Sequence, residues 1–201
     1  MPRQRLKGQK PIESFDIYHG YDQDVNTWFV EIQIPKFGSG QILEWFKTEE
    51  AYEKRIKELR LRYSYHMDAR ELDKLMDVFA EGAVCGYGPY GDWVGKEVIY
   101  NNYKETFKGS LDTPFVSMHV NTNHLIKITG PDTARGRVYL LDGITKNSDG
   151  SDIEPGSSNF LWFALYDEEY VKIDGEWKIK NMNLEFFWPE RHVSEGFSTD
   201  F

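Results

Sequence analysis

At 201 residues the chain has room for one domain and an arm, and at 40% hydrophobic and 28% charged it is neither disordered nor membranous. Its 24 basic against 33 acidic side chains give a net charge of −9, which argues against nucleic acid as a partner, because that binding needs a basic stripe to displace counterions. A single cysteine, Cys85, excludes a disulfide framework and a cysteine-rich metal site, and no run approaches the roughly 18 apolar residues of a membrane span.

Residues 1–10 lack the apolar core of a secretion signal, so a cytoplasmic protein is expected. Residues 1–47 mix Pro11, Pro35, Gly38 and Gly40 with one alternating run from Trp28 to Ile34. They read as an N-terminal accessory arm too small to bury its own core, with the run a short strand or an extended segment. Residues 48–201 read as a single α+β domain.

That domain opens with helix signals: Thr48 as N-cap, and Glu49 and Glu50 where the helix dipole favours carboxylates. Tyr52, Ile56, Leu59 and Tyr63 then mark one buried face. Asp68-Ala69-Arg70-Glu71 fits a capping box opening a second helix, with apolar positions Leu72, Leu75, Met76 and Phe79 and an end at Gly82. A short apolar run, Ala83-Val84-Cys85, leads into a glycine-rich turn and then a helix over 96–107. From there the period becomes two, and 116–128, 134–145, 158–173 and 177–188 read as long strands. Gly130-Pro131-Asp132 and Asp174-Gly175 supply hairpin turns, and 147–158 is an exposed loop. Helices followed by antiparallel strands is the α+β pattern, and a twisted sheet wrapped on helices leaves a concave pocket.

Several groups bear on chemistry. Gly86-Tyr87-Gly88-Pro89-Tyr90-Gly91 has the spacing of a dinucleotide fingerprint but lacks its strand–turn–helix context, and reads as a hairpin turn. His119 and His124, five apart on a strand, face opposite sides by simple alternation and have no third ligand nearby, so no metal is expected. By that alternation His124, which shares a face with Val120, Ile126 and Ile128, is the inward histidine, and His119 lies with Ser117, Asn121 and Asn123. Asp142 shares a face with Val138, Leu140 and Ile144, where a carboxylate among apolar neighbours becomes a candidate proton carrier; capping the next turn is its structural alternative. Asp68 has a purely structural role open to it as a helix cap. With 13 Phe, 12 Tyr and 6 Trp, aromatic side chains suit both the core and a pocket for an aromatic ligand.

Three stretches carry a resemblance: Arg62-Tyr63-Ser64-Tyr65-His66-Met67-Asp68, Ser117-Met118-His119-Val120-Asn121-Thr122-Asn123 and Gly136-Arg137-Val138-Tyr139-Leu140-Leu141-Asp142. Together they resemble the SnoaL-like branch of the nuclear transport factor 2-like superfamily, over residues 48–188. Its lyases include bile acid 7α-dehydratase and scytalone dehydratase. The resemblance implies a cone-shaped α+β barrel, a curved antiparallel sheet around N-terminal helices with an internal pocket and no cofactor. It implies Asp68 and His119 as the catalytic acid–base pair, with Tyr63, Tyr87, Asn123 and Asp142 binding substrate or relaying protons. It also prefers His119 over His124, which requires a bulge near Asn121 to shift the facing by one residue.

The chemistry is coherent on its own terms. Histidine has a pKa near neutrality, and a carboxylate on its other ring nitrogen fixes the tautomer and stabilises the imidazolium. The expected activity is a cofactor-independent lyase of the dehydratase type on a hydrophobic aromatic or polycyclic small molecule. Alternatives are carbon–carbon cleavage releasing formaldehyde from lignin-derived diaryl compounds, isomerisation, and a non-catalytic binding module or dioxygenase β-type subunit. Exposed apolar residues around Trp28-Phe29 and in the tail from Trp188 lead to the expectation of a homo-oligomer, dimer or trimer.

Overall fold

The structure is a computed structural model that describes residues 4–5, 16–22, 27–33, 49–146, 151–154 and 161–201, with side chains from residue 50 onward. The chain divides into two compact units, Met1–Lys54 and Arg55–Phe201. In the first, β1 (Gln4–Arg5), β2 (Asp16–Asp22) and β3 (Thr27–Gln33) form an antiparallel sheet in that order. The alternating run from Trp28 is thus a strand, while the expectations for the Thr48 cap and for the Trp28 and Phe29 side chains lie outside the described residues.

In α1 (Glu49–Asp68), Ile56, Leu59, Tyr63 and Met67 recur at three and four residues and are all buried. The helix does not end in a capping box. Arg70 adopts φ 61°, its N–H bonds to Met67 O, and the Glu71 N–H reaches back to His66 O at 2.9 Å. This is a Schellman closure with arginine where glycine is usual. Glu71 stands at the start of α2 (Leu72–Met76) but makes no side-chain cap bond there. The second helix is therefore one short turn. Phe79 and the residues to Gly86, expected partly as helix, form strand β4 (Phe79–Gly86), because Phe79 pairs with Ile179 and draws the chain into the sheet.

A 3₁₀ turn over Gly88–Tyr90 joins β4 to β5 (Asp92–Val94), which confirms the glycine-rich segment as a hairpin turn. Helix α3 (Lys96–Thr106) buries Ile99 and Tyr103. Four long strands follow: β6 (Ser117–Gly130), β7 (Thr133–Ile144), β8 (Leu161–Ile173) and β9 (Glu176–Trp188). Asp174 and Gly175 both have positive φ, 51° and 84°, as a type I′ hairpin turn requires. The curved six-stranded sheet runs β5-β4-β9-β8-β7-β6, antiparallel throughout except for the parallel pairing of β4 with β9. The α+β class is as expected. One sheet face carries buried Val138, Leu140, Tyr166, Tyr170 and Met182 and supplies the core. Among the described residues no helix is long and apolar enough to cross a membrane.

Candidate active site

The last turn of α1 brings Asp68 to β6. Asp68 Oδ1 lies 2.6 Å from His119 Nδ1, and Asp68 Oδ2 accepts the backbone N–H of His119 at 2.9 Å. Both side chains are about nine-tenths buried, at 9% and 11% exposure. A carboxylate oxygen only accepts, so Nδ1 donates, and in the neutral ring it is Nε2 that carries the lone pair. Asp142 is the cross-strand partner of His119, and its Oδ2 lies 3.9 Å from that free nitrogen. Burial pushes the Asp142 carboxyl above the ordinary range, and the neighbouring His119 pulls it back. The imidazole thus stands between two carboxyl groups of unlike character.

Arg70 belongs to the same neighbourhood. Its guanidinium donates to Met67 O at 2.7 Å and to Ser117 Oγ at 3.0 Å and lies over the Phe107 ring. Burial lowers its pKa, while Asp68 and Asp142 pull the other way. A buried arginine in the left-handed region is strained, and such positions concentrate at functional sites. The sequence showed only the middle of a supposed capping box at this point.

Simple alternation placed His124 correctly on the inward face but misplaced His119, and a bulge is the reason. The β6–β7 register slips between Thr122 and Leu125, and Asn123 takes φ 54°. His119 and Asn121 before the slip, and His124, Ile126 and Ile128 after it, all turn inward. The bulge centres on Asn123 rather than Asn121. Asn123 is exposed and is not brought to the Asp68–His119 pair. Asn121 is the inward amide: its side chain donates to Ser64 Oγ, and its own oxygen is buried without a partner, as is Asp142 Oδ1.

His124 enters a different network. Its Nε2 donates to Tyr170 OH at 3.1 Å, Tyr170 donates to Glu168, and Glu168 pairs with Arg60 at 2.9 Å. Burial, then the charges of Arg60 and Lys57, pull its pKa down to about 4, so it is neutral at neutral pH.

Tyr63 and Tyr87 come together, and they include a third phenol. Tyr63 OH lies 2.9 Å from Tyr103 OH and 3.5 Å from Tyr87 OH, and Tyr87 and Tyr103 hydrogen-bond each other. Burial pushes all three phenols well above their usual range. Tyr103 was missed in the sequence, although Ile99 and Tyr103 at i, i+4 mark the buried face of α3. Tyr166 was missed as well. Its ring meets Tyr63 edge-on at 5.9 Å, and the Asp142 charge acts on its phenol, so it joins the tyrosines to the carboxyl pair.

The model of the SnoaL-like domain matches residues 49–183. Among solved structures, a scytalone dehydratase-like protein from Novosphingobium aromaticivorans superposes with a TM-score of 0.56 at 23% identity, covering 72% of this chain and 91% of that one. Hexachlorocyclohexane dehydrochlorinase from Novosphingobium barchaimii gives 0.56 at 18% identity, covering 73% and 97%. A protein of unknown function with a cystatin-like fold from Nostoc punctiforme gives 0.56 at 19%, covering 71% and 95%. At these identities the likeness is one of fold.

Proposed function

The chain belongs to the SnoaL-like domain family, and from that premise we propose that it is a cofactor-independent lyase acting on a hydrophobic aromatic or polycyclic small molecule, with Asp68 and His119 as its acid–base pair. The observation that carries this reading is the double grip of Asp68 on His119, through ring and backbone nitrogen, which leaves Nε2 free as a base. A subunit that serves only assembly has no use for such a pair.

His119 Nε2 takes a proton from carbon beside a carbonyl or at a benzylic position, and Asp68 stabilises the imidazolium as it forms. The C–H electrons become the new double bond as the C–O bond breaks, and the departing hydroxide takes a proton and leaves as water. Asp142, with its carboxyl pushed up, and Tyr63, backed by Tyr87 and Tyr103, are the donors on hand. Substrate hydroxyls would satisfy the orphan oxygens of Asn121 and Asp142. The names of two structural relatives, a dehydratase and a dehydrochlorinase, are in line with elimination.

The test is a panel of β-hydroxy carbonyl and lignin-type diaryl substrates followed by mass spectrometry. Loss of water, slowed by deuterium at the carbon and about 10²–10⁴-fold slower in His119→Gln, is expected. Release of formaldehyde with no isotope effect at that carbon would mean that the base takes a hydroxyl proton instead. Exhaustive dialysis against a chelator is expected to leave turnover unchanged, since the elimination needs proton movements alone. Activity lost to chelation and restored by one divalent metal would overturn the mechanism. We also propose that copies of the chain associate through the outer sheet face, where Met118, Val120, Tyr139 and Phe163 are exposed.

A further inference from the structure

Among the described residues, Arg60 is the largest of the fully buried side chains, at 1% exposure. Its guanidinium carbon lies 4.0 Å from the centre of the Tyr63 ring and 3.6 Å from that of Tyr166. Nη1 donates to Glu168 at 2.9 Å and approaches Met182 Sδ at 3.6 Å, while Nε and Nη2 have no hydrogen-bond partner. As a structural element this is a poor choice. A buried ion pair is often replaced by apolar residues of similar volume at no loss of stability, and unpaired N–H groups add to its cost.

We propose that Arg60 is a positioning residue for the tyrosine cluster: its guanidinium, held by Glu168 over the Tyr63 and Tyr166 rings, makes the Tyr63 hydroxyl a stronger proton donor. The role in catalysis rests on the lyase reading above. A cation over a ring face is attracted to the ring, and in a low-dielectric interior it favours the phenolate over the neutral phenol. The groups that face Tyr63 divide in sign. Burial disfavours its ionised form most, and Tyr103 on α3 adds to that. Arg60, on the same helix, and the hydrogen bond with Tyr87 oppose it. From β8 come Tyr166 and the counter-charge Glu168, which meets Arg60 at Nη1. His124, through Tyr170, fixes the carboxylate that fixes the arginine.

The test uses the full chain with a polyfluorinated tyrosine at position 63, whose ionisation falls in a range that the folded protein tolerates, followed by ¹⁹F NMR against pH. Arg60→Met is expected to raise that ionisation by about one pH unit, and Arg60→Lys by less, because an ammonium is a point charge that cannot lie flat on both rings. Glu168→Gln removes the counter-charge and is expected to move it the opposite way. Opposite signs are the signature, since a loosened core would shift both variants alike. If Arg60→Met does not fold, the lysine and Glu168→Gln variants decide. An unmoved titration, or a shift of the same sign in the arginine and Glu168→Gln variants, overturns the proposal. No turnover enters this readout. Unchanged activity in His119→Gln would sink the lyase reading while the titration still decides the role of Arg60.

Discussion

His119 and His124 face the same side of one strand, five residues apart, and differ in what holds them. His119 has a carboxylate on Nδ1 and an unbonded Nε2, whereas His124 spends Nε2 on Tyr170 and is kept neutral by burial. His119→Gln is expected to fold and to lose about 10²–10⁴ in kcat, the usual worth of a general base. His124→Gln should stay within a few-fold of wild type; the reverse result would reassign the base. His124 also makes a pH prediction. Its folded pKa, about 4, lies below the ordinary 6.5, so the fold favours the neutral form. The stability this provides is present above pH 6.5 and is lost as pH falls towards 4, on the order of 3 kcal/mol at about 1.4 per unit. Urea unfolding at neutral pH and near pH 4.5 should show that loss in wild type and not in His124→Gln. Equal acid sensitivity in the two proteins would remove His124 as its source.

One inserted residue in β6 decides which side chains reach the core. Asn123, at φ 54°, lets His119 and Asn121 share a face with His124, Ile126 and Ile128. Deleting it would leave strict alternation in which positions 119, 121, 124, 126 and 128 still share one face, since the period along a strand is two and the extra residue is gone. The deletion variant is therefore expected to keep cooperative unfolding, with β6 paired to β7 as a regular ladder. Asn123→Gly should keep or raise Tm, and Asn123→Val should cost about 1–2 kcal/mol, because a β-branched residue resists positive φ. A deletion that abolishes cooperative unfolding would mean that the bulge itself, and not only the facing it produces, is needed by the fold.

The same bulge marks where the sequence stopped being legible. Apolar periods revealed the Ile56–Leu59–Tyr63 face of α1, helix α3 and the four long strands, because these patterns are local and repeat many times. Strand parity is also local, but one residue resets it, and Thr122-Asn123-His124 alone does not announce the reset, which was expected only through the resemblance and two residues too early. The parallel β4–β9 pairing drew Phe79 into the sheet through a partner a hundred residues away, which no window along the chain contains. Asp68, His119 and Asp142 were recognised from their flanking motifs, whereas Arg60 and Tyr103 were read as ordinary helix positions. Their significance lies in what they meet across the core.

Across the unit Arg55–Phe201, the outer face of the sheet is treated unevenly. Towards one end the C-terminal segment covers it: Phe197 and Phe201 lie over the Arg137 guanidinium, and the Ser194 N–H bonds to Glu185 at 2.6 Å. Part of the tail, expected as exposed apolar surface, is thus occupied within its own chain. Towards the other end, among the described residues, the row Val120, Leu141, Phe163 and Trp188, cross-strand partners in four adjacent strands, is left partly exposed. Val120, Phe163 and Trp188 are 48%, 41% and 40% exposed, and Met118 and Tyr139 extend the patch. A stable interface takes about 800 Å² from each partner, the scale of an apolar patch that spans four strands. Light scattering on the purified protein is expected to give two or three times the 23.6 kDa chain mass. The net charge of −9 makes like copies repel, so added salt should strengthen the assembly rather than dissolve it. Val120→Lys combined with Phe163→Lys places two charges within the row without touching the core, and should yield a folded monomer by circular dichroism and scattering. An oligomer that survives both lysines would locate the interface elsewhere, and a wild-type protein that scatters as a monomer would remove it.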